Sequence, residues 1–197
     1  MARTASTMLA LGTTAPDFSL SDVVSGKTIT CDQAAGPRGL LVMFLCAHCP
    51  FVQHVNQELG RLGRDYAGRG IGIVAISSND SDTYPDDAPP GLRRQAEEHG
   101  FQFPYLFDES QDVARDYEAA CTPDFFLFDA NKKLVYRGQF DGSRPGNGVP
   151  LDGRDLRAAM DQVLAGKAVP TEQQPSIGCN IKWKQTAKAS SRRRQKQ

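Results

Sequence analysis

The stretch Leu40-Leu-Val-Met-Phe-Leu45, running straight into Cys46-Ala-His-Cys49-Pro50, decides how this chain folds. Six apolar residues in unbroken succession, preceded by Gly36-Pro37-Arg38-Gly39, suit a strand buried on both faces. A helix is expected next. Pro50 fits a first helical turn, where its missing N–H costs nothing. Val52, Val55, Leu59 and Leu62 then return at helical spacing as one apolar face, before Gly68 and Gly70 end the segment. Cys46 and Cys49 therefore stand where a buried strand passes into a helix.

That position carries the chemistry. A thiol at a helix N-terminus faces unpaired backbone N–H groups and the positive end of the helix dipole, and both stabilise the reactive thiolate. Two intervening residues let the second sulfur approach the first, so the pair can close a small disulfide. Cys46, at the strand end, reads as the attacking thiol, and Cys49, one turn in, as the resolver. His48, as an imidazolium, is expected to lower the Cys46 pKa and make the couple more oxidising. Taken singly, either cysteine would read as a small core residue. A zinc knuckle is disfavoured because no second C-x-x-C or H-x-x-x-H supplies the other ligands. Neither a metal nor a cofactor is expected.

Outward from this junction, residues 16–20 and 27–30 form a hairpin around Ser25-Gly26. Residues 71–76 are a second buried strand, and 77–90 a polar, proline-rich surface loop. Residues 92–99 read as a helix stopped by Gly100. A strand at 103–107, a short helix at 112–117, and strands at 125–128 and 133–137 around Asp129-Ala-Asn131 follow. A Gly- and Pro-rich loop precedes a last amphipathic helix at 155–164. This order predicts an α/β fold, a central mixed β-sheet flanked by helices, with an N-terminal hairpin and a C-terminal extension. Cys121-Thr122-Pro123 precedes one of the strands. The X-Pro bond there is either an ordinary trans turn or a cis bond that sets Thr122 beside the sulfurs, its backbone ready to pair with an extended peptide.

The length of 197 residues allows one domain with extensions, and 40% hydrophobic residues support a core without staples. Zero net charge implies no bulk attraction to nucleic acid or membrane. The charge is uneven: residues 181–197 hold seven Lys or Arg and no acid, which reads as a solvated tail. No segment reaches the roughly 18 apolar residues of a membrane span, and the first residues lack the apolar core of a signal peptide. A cytoplasmic location is expected. Five cysteines, an odd number, favour catalytic use of a subset over a structural disulfide framework. The expected organisation is a flexible 1–10, a domain over 11–166, an extension over 167–184 packing back with Trp183 as anchor, and a disordered basic tail over 185–197.

With both elements placed, the chain is similar to the thioredoxin superfamily. Within it, the chain resembles the peroxiredoxin-like branch, of the alkyl hydroperoxide reductase and thiol-specific antioxidant type. The resemblance covers about residues 11–164. It rests on Gly12-Thr-Thr-Ala-Pro-Asp-Phe18, on the strand with Cys46-Ala-His-Cys49-Pro50, and on Thr122-Pro123-Asp-Phe-Phe-Leu-Phe128. The closing Pro175-Ser-Ile-Gly-Cys179-Asn-Ile-Lys-Trp183 resembles a bacterial subgroup of thioredoxin-like proteins. The resemblance implies a thioredoxin-like fold and a cis Thr122-Pro123 loop, with Cys121, Thr122 and Pro123 forming the substrate platform. Three positions depart from the pattern. Leu45 stands where thioredoxins place Trp, Leu40 where they bury an acid, and Met43 where peroxiredoxins place Thr three residues before the peroxidatic cysteine.

The function expected is that of a thiol–disulfide oxidoreductase working through a mixed disulfide. Its partners would be a disulfide-bearing protein or small peroxide and a thiol electron donor, with no membrane or nucleic acid involved. Two alternatives stand beside it: a thiol peroxidase, and a non-enzymatic copper chaperone built on two thiolates and His48. Cys121 reads as a third thiol or an inert core residue, and Cys31 and Cys179 as packing residues. His54 belongs on the surface, and Arg137 or Arg144 could reach the site.

Overall fold

The computed structural model describes residues 3–185. In chain order the strands and helices are β1 Arg3–Ala5, β2 Ser19–Asp22, β3 Thr28–Thr30, α1 Cys31–Ala34, β4 Gly39–Phe44, α2 Pro50–Tyr66, β5 Ile71–Ser77, α3 Pro89–His99, β6 Tyr105–Phe107, α4 Asp112–Asp116, β7 Cys121–Thr122, β8 Asp124–Asp129, β9 Leu134–Gly138, α5 Arg154–Leu164 and β10 Ile177–Asn180. A tight helical turn, Pro85–Asp87, precedes α3. Among the described residues the main sheet has seven strands in the order β3-β2-β6-β5-β4-β8-β9. β4, β5 and β6 are parallel, β8 runs antiparallel beside β4, and β9 pairs antiparallel with β8. This is the expected central mixed sheet of a thioredoxin-like fold.

β4 organises the whole. All six of its residues are buried, because it lies inside the sheet and is covered on both faces. Its side chains alternate, as strand geometry requires. Leu41 and Met43 face the core made with α2, α3 and α5, through Val55, Leu59, Leu92, Leu156 and Met160. Leu40, Val42 and Phe44 face the second core, with Val113, Tyr117, Phe126 and Phe128. No helix among the described residues is long and apolar enough to cross a membrane.

Two expectations are corrected. The first ten residues are not a flexible lead-in throughout. Arg3–Ala5 pairs antiparallel with β10, in a small second sheet ordered β1-β10-β7. A short strand without internal periodicity gives no sequence signal when its partner lies more than 170 residues away. Residues 77–90 are not simply a surface loop. Ser77, Ser78, Asn79, Asp80 and Asp87 are all buried, and Pro89 opens α3, where its missing N–H is harmless. Trp183, expected as an anchor, stays 41% exposed against the Arg115 guanidinium, while Ile181 is buried. The basic tail expected over 185–197 lies outside the described residues from 186 onward.

Phe44 is fully buried, edge-on to Phe126 at 5.8 Å and tilted against Tyr117 at 5.5 Å. Phe44→Ala is expected to cost about 3–5 kcal/mol, read as a lowered denaturant midpoint with native far-UV circular dichroism.

Candidate active site

β4 delivers the chain to the site, and the Leu45 N–H still bonds the Ile76 carbonyl at 2.9 Å. Residues 46–48 then turn, and Cys49 becomes the N-cap of α2 with Pro50 as the first helical residue. The turn is held from outside by Asp87. Its carboxylate accepts the Ala47 N–H at 2.8 Å and the His48 N–H at 3.1 Å. It also meets His48 Nδ1 at 2.5 Å and the Asn79 side-chain amide at 2.7 Å. Asp87 has no solvent exposure. Burial alone would push its carboxyl up, but the bonds from His48 and Asn79 outweigh that and hold it below the ordinary value. The same bond lifts His48 above the usual imidazole value, against the opposing effect of burial. The ring stacks on Tyr84 at 4.8 Å, and its buried Nε2 has no hydrogen-bond partner.

Thr122 reaches both sulfurs. Its hydroxyl lies 3.2 Å from Cys46 Sγ, and its carbonyl accepts from Cys49 Sγ at 3.3 Å. The Thr122-Pro123 bond is cis. The two cysteines are also in mutual hydrogen-bond contact, and no cysteine of the chain is disulfide-bonded in this structure.

The surroundings of the two thiols differ. Cys49 is the thiol held low, at about 5, by the Cys46 thiol first, then by the Cys179 thiol and the nearby Val52 and Cys179 backbone N–H groups, with burial working against them. The Sγ lies near the Val52 N–H without forming a side-chain cap. Cys46 is pushed well up by burial, by its donation to Cys49 and by the Asp87 charge. With Pro50 first, Cys49 is the residue at the positive end of α2, and Cys46 sits three residues outside it. His48 does not depress Cys46, because the Asp87 carboxylate stands beside the imidazole.

Behind Cys46 lies a buried polar chain. Tyr105 donates to Gln95 at 3.1 Å, and the Gln95 amide donates to the Cys46 carbonyl at 3.2 Å and to Asn56 at 2.9 Å. A buried acid is present despite Leu40. Asp124, next to Pro123, is pushed up to about 7 by burial. It pairs in register with Phe44, however, and so points to the sheet face away from the cysteines. Cys121 is buried, its thiol directed at the Pro123 carbonyl at 3.7 Å. Cys31 packs in the opposite core. Arg144 and His54 line a small cavity with Phe51 and Pro123, whereas Arg137 bonds Leu9 and Gln173 instead. The cluster whose donor atoms could hold a metal is Cys46, His48 and Asp87, all within 4.8 Å of one another. It differs from the two-thiolate and His set of a copper carrier, and its His48 Nδ1 is engaged by Asp87.

Asp87, Asn79, Gln95 and Asn56 were missed by sequence reasoning. No spacing distinguishes Asp87 from Asp80, Asp82 or Asp86 in the same polar stretch.

Two outcomes follow. Thiolate absorbance should titrate well below the free-cysteine value of about 8.5 in Cys46→Ser, and should be lost from that range in Cys49→Ser. Asp87→Asn should destabilise the protein most between the ordinary Asp and His values, about pH 4 to 6.5. The raised His48 pKa contributes stability that is complete below its unfolded value and fades as pH rises through its folded value. The depressed Asp87 pKa contributes stability that is lost on acidification. Urea midpoints of both proteins across pH measure the gap.

Comparison with known proteins agrees with this architecture. A solved structure of an uncharacterized conserved protein from Geobacillus kaustophilus superposes with a TM-score of 0.93 at 50% identity, covering 95% of this chain and 99% of that one. A hypothetical protein from Sinorhizobium meliloti 1021 superposes at 0.89 with 49% identity, covering 92% and 98%. The thiol-disulfide oxidoreductase ResA of Geobacillus thermodenitrificans (strain NG80-2) is 27% identical over 131 residues, which is 66% of this chain and 70% of that protein. The AhpC/TSA family model matches residues 11–137, a span that takes in the strand–cysteine–helix junction and the cis-proline loop, and the chain belongs to that family.

Proposed function

We propose that this chain is a thiol–disulfide oxidoreductase that runs on Cys49 and Cys46. The observation that carries the reading is two cysteines at the start of α2 that Thr122 meets from across the site, its hydroxyl at Cys46 Sγ and its carbonyl at Cys49 Sγ, with His48 and Asp87 beside Cys46. The relation to a protein named as a thiol-disulfide oxidoreductase supports it.

The Cys49 thiolate attacks one sulfur of a substrate disulfide. The substrate S–S bond breaks, one half leaves as a thiolate, and the other half stays joined to Cys49. His48, made more basic and oriented by Asp87, takes the proton from Cys46. Cys46 then attacks the Cys49 sulfur, the second substrate half leaves as a thiolate, and the pair is left as a disulfide. A thiol donor resets it. Thr122 keeps both sulfurs in place from across the site.

A peroxidase reading draws on one observation: the Thr122 hydroxyl supplies, from a different strand, the polar group missing at Met43. That hydroxyl faces Cys46, however. Cys49 faces the Thr122 carbonyl, which accepts from its thiol and cannot polarise a peroxide.

Stopped-flow oxidation by oxidised glutathione and by hydrogen peroxide separates the two. The disulfide reaction should be the faster. Cys49→Ser should abolish it, and Cys46→Ser should still react through Cys49 but form no Cys46–Cys49 disulfide. His48→Ala should slow resolution by about 100-fold or more and remove its rise with pH through the His48 pKa. A faster peroxide reaction that survives Cys46→Ser would overturn the proposal.

A further inference from the structure

The edge of β7 that an incoming peptide would need is already taken by the chain itself. β10 runs antiparallel to it, with Cys179 opposite Thr122 and Asn180 opposite Cys121. The fit is close: a Cβ on Gly178 would lie 1.9 Å from the Thr122 carbonyl oxygen, so the strand seats there only because residue 178 is glycine. Beyond it, the Lys182 N–H bonds Asn79 at 2.8 Å, and Asn79 in turn bonds Asp87. Gln111 holds the Lys182 carbonyl and the Lys184 N–H, each at 2.8 Å. This segment is thus pinned to the same carboxylate that shapes the Cys46–Cys49 turn.

Its register brings a third sulfur to the site. Cys179 is 2% exposed and packs in one core cluster with Cys46 and Cys49, and its thiol and backbone N–H both reach Cys49. Cys49 is therefore flanked by two thiols. Cys46 comes from its own turn, and Cys179 from a strand lying where a substrate strand would lie.

We infer that Cys179 is an in-chain exchange partner of Cys49, placed by β10 as a built-in substrate. In the exchange, Cys179 gives up its proton and attacks the Cys49 sulfur of the oxidised pair. The Cys46–Cys49 bond breaks, a Cys49–Cys179 bond forms, and Cys46 leaves as a thiolate and is reprotonated. The disulfide moves without net oxidation, so no further oxidant is needed. The inference rests on the disulfide chemistry proposed above.

The test is disulfide mapping of the full chain, oxidised over a range of oxidised-glutathione ratios, acid-quenched, alkylated and digested without reduction. Wild type should yield a Cys49–Cys179 cross-linked peptide besides the Cys46–Cys49 product. In Cys46→Ser the cross-link should become the main product. In the double variant Cys46→Ser with Cys179→Ser, the glutathione adduct on Cys49 should accumulate at least tenfold over the single variant. Wild type that forms Cys46–Cys49 while Cys179 stays fully alkylated at every ratio would sink this inference and leave the oxidoreductase reading standing. No disulfide at either position would sink both. The wild-type measurement holds whether or not the variants fold.

Discussion

The buried carboxylate of Asp87 is the interaction on which the site depends. A charge without solvent contact is tolerable only when its oxygens are saturated by donors. Here four donors converge on it: the Ala47 and His48 backbone, the His48 ring and Asn79. Each ties a separate part of the protein to one point. The two backbone bonds shape the turn between the cysteines. The ring bond orients His48 and raises its basicity. Asn79 relays the contact to Lys182 and so to the C-terminal segment.

Around that point the fold gives two cysteines that look equivalent in sequence different surroundings. Cys49 caps α2 and gains the helix terminus together with neighbouring thiol donors, whereas Cys46 lies outside the helix beside an anion. The carboxylate beside Cys46 comes from about forty residues away in the chain. Thr122 faces both sulfurs because the cis-proline loop returns the chain to the end of β4.

The elements legible in sequence were those with strong local periodicity. The unbroken run at 40–45, the apolar face of Val52, Val55, Leu59 and Leu62, and the stop at Gly100 all name elements that the structure contains. The two- to four-residue strands β1, β7 and β10 were not legible, because each is a strand only through pairing with distant chain. Residues 77–90 looked like solvated loop because Ser78, Asn79 and Asp87 are hydrogen-bonded internally, and composition cannot distinguish that from bonding to water.

From the sequence alone came the α/β class, the strand-to-helix junction and the candidate cysteine pair. These follow from local periodicity, from proline chemistry and from the spacing of two cysteines in one turn. Tertiary structure alone decided which acid serves His48, that Thr122 meets both sulfurs, and that Cys179 comes to the site. All three depend on groups far apart in the chain, whose proximity arises from strand register and from the need to satisfy a buried charge.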